Sequence, residues 1–119
     1  MKYLFLFYQS QDPQPEPGSP EFVELFNAYN EADTAMRHAG VLIECAPLEP
    51  ISSSTTVRVR GGETLLTDGP AAEIKEQVGG FALVECADLD EAIKWASTIP
   101  AAQDASVEIR PLVSVEVPT

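Results

Sequence analysis

Two stretches of this chain are apolar on both of the faces that a β-strand presents. In residues 2 to 8, Tyr3, Phe5 and Phe7 point one way, while Leu4, Leu6 and Tyr8 point the other. Residues Phe81 to Cys86 repeat the pattern apart from Glu85. Strands of this kind need a cover on each side. The chain must therefore supply two covering layers, or supply one and borrow the other.

Only two helices are legible to do the covering. Ser19-Pro20-Glu21 opens the first, with a serine N-cap, a proline at the first helical position and an acid in the first turn. Phe22, Leu25, Phe26, Tyr29, Ala32 and Met36 follow as one stripe. Arg37 and His38 occupy the last turn, and Gly40 ends the helix; His38, the sole histidine, suits a partner for the helix dipole. Asp88-Leu89-Asp90-Glu91 is a capping box that opens the second helix. Leu89, Ala92, Ile93 and Ala96 form its expected buried side, and Pro100 stops it.

The remaining segments fit around these. Gln9 to Gly18 carries Pro13, Pro15 and Pro17 and is a loop. Val41 to Pro47 is a strand with Val41, Ile43 and Cys45 on one face. Val57–Arg60 and Glu63–Leu66 flank Gly61-Gly62 as a hairpin that sets Arg60 opposite Glu63 as a charge pair. Asp68-Gly69-Pro70 stops the hairpin, and Ala71 to Gln77 is a loop. Gly79-Gly80 lets the backbone bend or come close to another strand. Ala101 to Asp104 is a loop, Ser106 to Arg110 is the last strand, and Pro111 confines that strand to an edge or an end.

The order without the hairpin is β-α-β-β-α-β, the ferredoxin-like arrangement with an antiparallel sheet. Both helices then cover one face, and the other face is bare and apolar. A patch of that size is rare on a soluble monomer, so a second copy is expected over it, as a two-fold homodimer.

At 119 residues and 45% hydrophobic content, one domain spanning residues 1–119 is expected. The net charge of −12, with 7 basic residues and no run of them, argues against a nucleic-acid partner. One histidine and scattered acids give no metal-ligand spacing. The glycine pairs open no helix in a phosphate-binding pattern, so no cofactor is expected. Cys45 and Cys86 sit in apolar runs and suit buried thiols of a reducing cytosol. The apolar start, Met1 to Tyr8, is too short for a membrane span, and the reading is cytoplasmic.

The segment Asp68-Gly69-Pro70-Ala71-Ala72-Glu73-Ile74-Lys75-Glu76-Gln77-Val78-Gly79-Gly80, with an aromatic strand and Asp88-Leu89-Asp90-Glu91-Ala92 after it, resembles the DGPF branch of the YCII-related proteins. Met1-Lys2-Tyr3-Leu4, Thr55-Thr56-Val57-Arg58 and Ser106–Pro111 are similar too. The resemblance implies a dimeric α+β barrel. Ala71 stands where the branch carries phenylalanine, and the first helix has no histidine matching the His-Asp pair associated with the wider family. Two functions follow as expectations. One is a cofactor-free enzyme acting on a small molecule, of isomerase, lyase or dehydrohalogenase type, with Asp68 as base and Lys75 beside it. Arg58, Tyr8 and Trp95 would then contact the substrate, Arg58 through an anionic group. The other is a non-catalytic ligand- or protein-binding module that accompanies an extracytoplasmic-function sigma factor. Each residue also has a structural reading: Asp68 as a turn former, Trp95 as helix–sheet packing, Arg58 on a solvated hairpin face.

Overall fold

In the computed structural model, residues 1–10, 14–72 and 76–114 are described. The elements are β1 (Lys2–Ser10), α1 (Pro20–His38), β2 (Leu42–Pro47), β3 (Thr55–Arg60), β4 (Glu63–Asp68), β5 (Glu76–Glu85), α2 (Leu89–Ala96), α3 (Ala101–Asp104) and β6 (Val107–Pro111). Four strands form an antiparallel sheet in the order β2-β5-β1-β6, and β3 and β4 form a separate two-stranded sheet. This is the ferredoxin-like α+β fold with an inserted hairpin. The two strands that are apolar on both faces, β1 and β5, take the two central positions.

The register sorts their side chains. Tyr3, Phe5, Ala82 and Val84 lie under the helices and are nearly or fully buried. Leu4 stands opposite Leu83 and Leu6 opposite Phe81 on the other face, where all four are half-buried. No described helix packs on that face. β6 closes one edge by pairing Ile109 with Phe5 and Val107 with Phe7. Pro111, at the end of β6, costs the ladder nothing.

Both central strands run further than their apolar cores. β1 continues through Gln9 and Ser10, which pair with Gln77 and Glu76, so part of the expected loop before Gly79 is strand. The ladder shifts between Phe7 and Tyr8, where β5 contributes Gly79 as an extra residue. A second shift, between Leu42 and Glu44, leaves Ile43 as an extra residue in β2. The expected face of Val41, Ile43 and Cys45 is therefore broken. Leu42 and Cys45 face the core opposite Val84 and Ala82, and Ile43 is exposed.

The helices are capped as their sequences dictate. Ser19 Oγ accepts from the Phe22 N–H at 3.2 Å, and Asp88 Oδ1 accepts from the Glu91 N–H at 2.9 Å. The return bond of the capping box reaches one residue further back, from the Ala87 N–H to Glu91 Oε1 at 2.8 Å. On α2 the buried side is Ala92 and Ala96, continued by Ile99 and Ala101 beyond the helix end. Leu89 and Ile93, expected inside, are half exposed. The alanines let the helix sit close to the sheet, and Ile99 fills the space a leucine would take. Residues 101–104, expected as a loop, form the short helix α3. No described helix is long and apolar enough to cross a membrane.

The hairpin forms in the expected register around Gly61 and Gly62, whose φ angles of 58° and 80° are those of a primed turn. It stands away from the sheet. Every residue of β3 and β4 except Thr56 is exposed, including Val57 and Leu66 at 58% and 68%. The radius of gyration, 16.6 Å, exceeds the roughly 13–14 Å of a compact chain of this length.

Candidate functional site

The strongest candidate is a cavity of about 430 Å³ between α1 and one end of the sheet. It exists because α1 is anchored at its C-terminal half only. Ala32 and Met36 are buried, whereas Phe22 and Phe26 nearer the N-terminus are 37% and 56% exposed. The apolar stripe is continuous in sequence, but its first two turns lie over empty space instead of over strands.

The walls are mostly aromatic and aliphatic. Phe7 from β1 and Tyr29 from α1 meet with ring centroids 6.4 Å apart. Phe22 and Phe26 stack at 6.5 Å on the helix side. The Gly79-Gly80 pair lines the strand side. A Cβ on Gly80 would come within 3.1 Å of the Ala46 carbonyl and 3.2 Å of Phe7 Cδ2. A Cβ on Gly79 would run into the Gln9 side chain, which lies across the bulge and also lines the cavity. The glycines thus keep this wall thin and seat Gln9 at its rim.

One end is polar. Arg37 Nε donates to Asp33 Oδ2 at 2.8 Å, and the Cys45 thiol donates to Asp33 Oδ1 at 3.0 Å. All three residues line the cavity. The bonds from Arg37 and then Cys45 hold the Asp33 carboxyl below its ordinary value near 3.8. Burial, then the bond to Asp33, pushes the Cys45 thiol above 9.0. Burial and the nearby Asp104 raise the Tyr29 phenol. The chemical consequence is that these three groups are not activated nucleophiles: the thiol is held toward its protonated form, the phenol toward its neutral form, and the carboxylate is a weakened base. The arrangement suits holding a molecule. A shallower groove of about 730 Å³ adjoins it, sharing Ser10, Gln14, Leu25, Ala32 and Asp104 and carrying Glu21, Glu24 and Glu31. Among the described residues no three His, Cys, Asp or Glu side chains are grouped as around a metal ion.

The YCII-related domain matches residues 1–116. The chain belongs to the YCII-related family. An uncharacterized protein of Rhizobium meliloti (strain 1021) is 35% identical over 114 residues, which is 94% of this chain and 92% of that one. Among solved structures, the 5-chloro-2-hydroxyhydroquinone dehydrochlorinase of Burkholderia phenoliruptrix AC1100, in complex with 2,5-dihydroxybenzoquinone, is similar at a TM-score of 0.49. It shares 15% identity, with 95% of this chain and 94% of that chain covered.

In this YCII-related chain the residues singled out from sequence do not converge. Asp68 ends β4 opposite Thr55 and is exposed; among the described residues its carboxyl has no hydrogen-bond partner. The residue two positions on is Pro70, which has no N–H to give it, so Asp68 is not spent on the turn either. The turn is held instead by the Gly69 N–H on the Ser54 carbonyl at 2.8 Å and by Thr56 Oγ1 on the Gly69 carbonyl at 2.7 Å. Arg58 is exposed on the hairpin and its Nη2 donates to the Ala71 carbonyl at 3.5 Å. Arg60 pairs in register with Glu63 but donates to the Val59 carbonyl, so the expected charge pair is not made. Trp95 packs half-buried against the core, under Lys94, away from the cavity; its indole N–H is buried without a partner among the described residues. Tyr8 does border the cavity, but its hydroxyl donates to Glu108 Oε1 at 3.2 Å. Lys75 lies outside the described residues.

Sequence reasoning missed Asp33, Arg37 and Cys45 as a group. The i,i+4 spacing of Asp33 and Arg37 was visible. The β2 bulge that turns Cys45 toward them was not.

Proposed function

We propose that this chain binds a small, largely apolar aromatic molecule in the cavity under α1, without a cofactor, and works as a two-fold dimer. The observation that carries the binding is the cavity's make-up: a volume within the range of small-molecule sites, aromatic walls, and one polar group cluster to orient the ligand. The dimer is supported by the uncovered sheet face, where Leu4, Leu6, Phe81 and Leu83 are half-buried. Removing the remaining water from each is worth about 1 kcal/mol.

The test is a panel of neutral aromatic fragments, such as indole and naphthol, followed by thermal shift and by ligand-observed NMR. We expect saturable binding at one site per chain, weakened at least about tenfold by Phe26→Asp, which charges an exposed ring at the cavity without touching the core. Binding that ignores Phe26→Asp, or no binding at millimolar fragment, sinks the reading.

Catalysis is a second reading, with Asp68 as base and Lys75 beside it. What favours it is that the Asp68 carboxyl is exposed and, among the described residues, bonded to nothing. A catalytic base needs a substrate held against it in a site closed from water. For the exposed Asp68, a second copy or the bound substrate itself has to provide that closure. Asp68→Asn at unchanged fragment affinity and lost turnover separates this role from binding.

A further inference from the structure

The hairpin has no reason to stand where it does if the chain is alone. A two-stranded ribbon is marginal in water, and stability needs a packed face. Here both faces are wet. Val57, Val59 and Leu66 are 58%, 58% and 68% exposed, and Leu65, on the opposite face beside Arg58, is 45% exposed. The ribbon as a whole is neutral in an acidic molecule, and one of its faces carries Arg58 and Arg60 against Glu63 alone. Arg58 and Arg60 are two of 7 basic residues in a chain of net charge −12, and among the described residues neither is in an ion pair. Its two-strand ladder is rooted at Thr55 and Asp68, and the chain enters it from β2, an edge strand of the sheet whose open face lacks a cover.

The open face by itself is small for a stable association. Four strands about 4.8 Å apart and about six residues of about 3.3 Å make roughly 400 Å² in plan. A standard interface takes about 800 Å² from each partner. A ribbon with one apolar face and unpaired Arg58 and Arg60 on the other supplies both the missing area and cations that an acidic surface attracts.

We propose that the β3–β4 hairpin is an arm that lies against a second copy of this chain, in contact with its acidic body. This rests on the dimer proposed above and adds the contact that makes it stable.

Sedimentation equilibrium on the full chain tests it, with two variants. Val57→Thr with Leu66→Thr removes apolar contact without changing charge; Arg58→Gln with Arg60→Gln removes the cations. We expect a wild-type dimer whose Kd rises at least about tenfold in each variant while circular dichroism is unchanged. Amide hydrogen exchange provides a readout that needs no variant: residues 55–68 should exchange slowly in the dimer and fast after dilution to monomer. A dimer whose Kd ignores both variants overturns the arm and leaves the dimer standing. Protection of 55–68 that persists in the diluted monomer overturns it too, since the hairpin then packs on its own body. A wild-type chain that is monomeric throughout overturns the arm and the dimer together.

Discussion

Gly79 and Gly80 are neighbours in sequence, yet a methyl group meets different surroundings at each. At Gly79 the obstacle is the end of the Gln9 side chain, which can swing aside. At Gly80 it is the Ala46 carbonyl and the Phe7 ring, both fixed by the sheet. Gly80→Ala should cost about 1–3 kcal/mol in urea unfolding, and Gly79→Ala less than about 1 kcal/mol. Gly79→Ala should instead alter fragment affinity, because Gln9 lines the cavity. Asp33 gives a pH-dependent contrast. Its carboxyl is lowered in the folded chain, first by Arg37 and then by Cys45, so its contribution is present above the unfolded value near 3.8 and fades as pH falls through the lower folded value. Asp33→Asn should lose about 0.5–1 kcal/mol at neutral pH, with the gap to wild type closing in acid. The same variant weakens a group that holds the Cys45 thiol up, so Cys45 should be alkylated faster at pH 8 than in wild type, while buried Cys86 stays slow.

At the scale of elements, the caps are independent of tertiary packing and can be tested alone. Ser19→Ala and Asp88→Ala should each cost about 1 kcal/mol by chemical unfolding, since each frees a first-turn N–H. These starts were readable because caps are local chemistry. The strand–helix order, and the need to cover β1 and β5 on both faces, were readable because runs apolar on both sides are local too. The bulges at Ile43 and Gly79 were not: each depends on how two distant strands come into register. One extra residue in β2 moved Ile43 out and brought Cys45 to Asp33. Likewise the buried side of α2 turned on Ile99, a residue beyond its end, and no helical stripe reports that.

For the molecule as a whole, the cavity was beyond the sequence because it depends on where a helix is not. The stripe from Phe22 to Met36 reads as a buried face throughout, but only its last turns rest on strands. The charge, by contrast, needs no fold to interpret. With −12 on one chain, self-repulsion lowers stability at low ionic strength. Raising NaCl from about 10 to about 200 mM should raise Tm by a few degrees, measurable by calorimetry. The extra residue in β5 has a geometric corollary for this molecule. Gly80 lies opposite Phe7 and Val78 opposite Tyr8, so excising Gly79 would leave both pairs in register and straighten the ladder between them. The Gln9 side chain would then lose the bulge it lies across, and the rim of the cavity would be reset there. A single missing codon would thus repair a ladder and spoil a pocket wall.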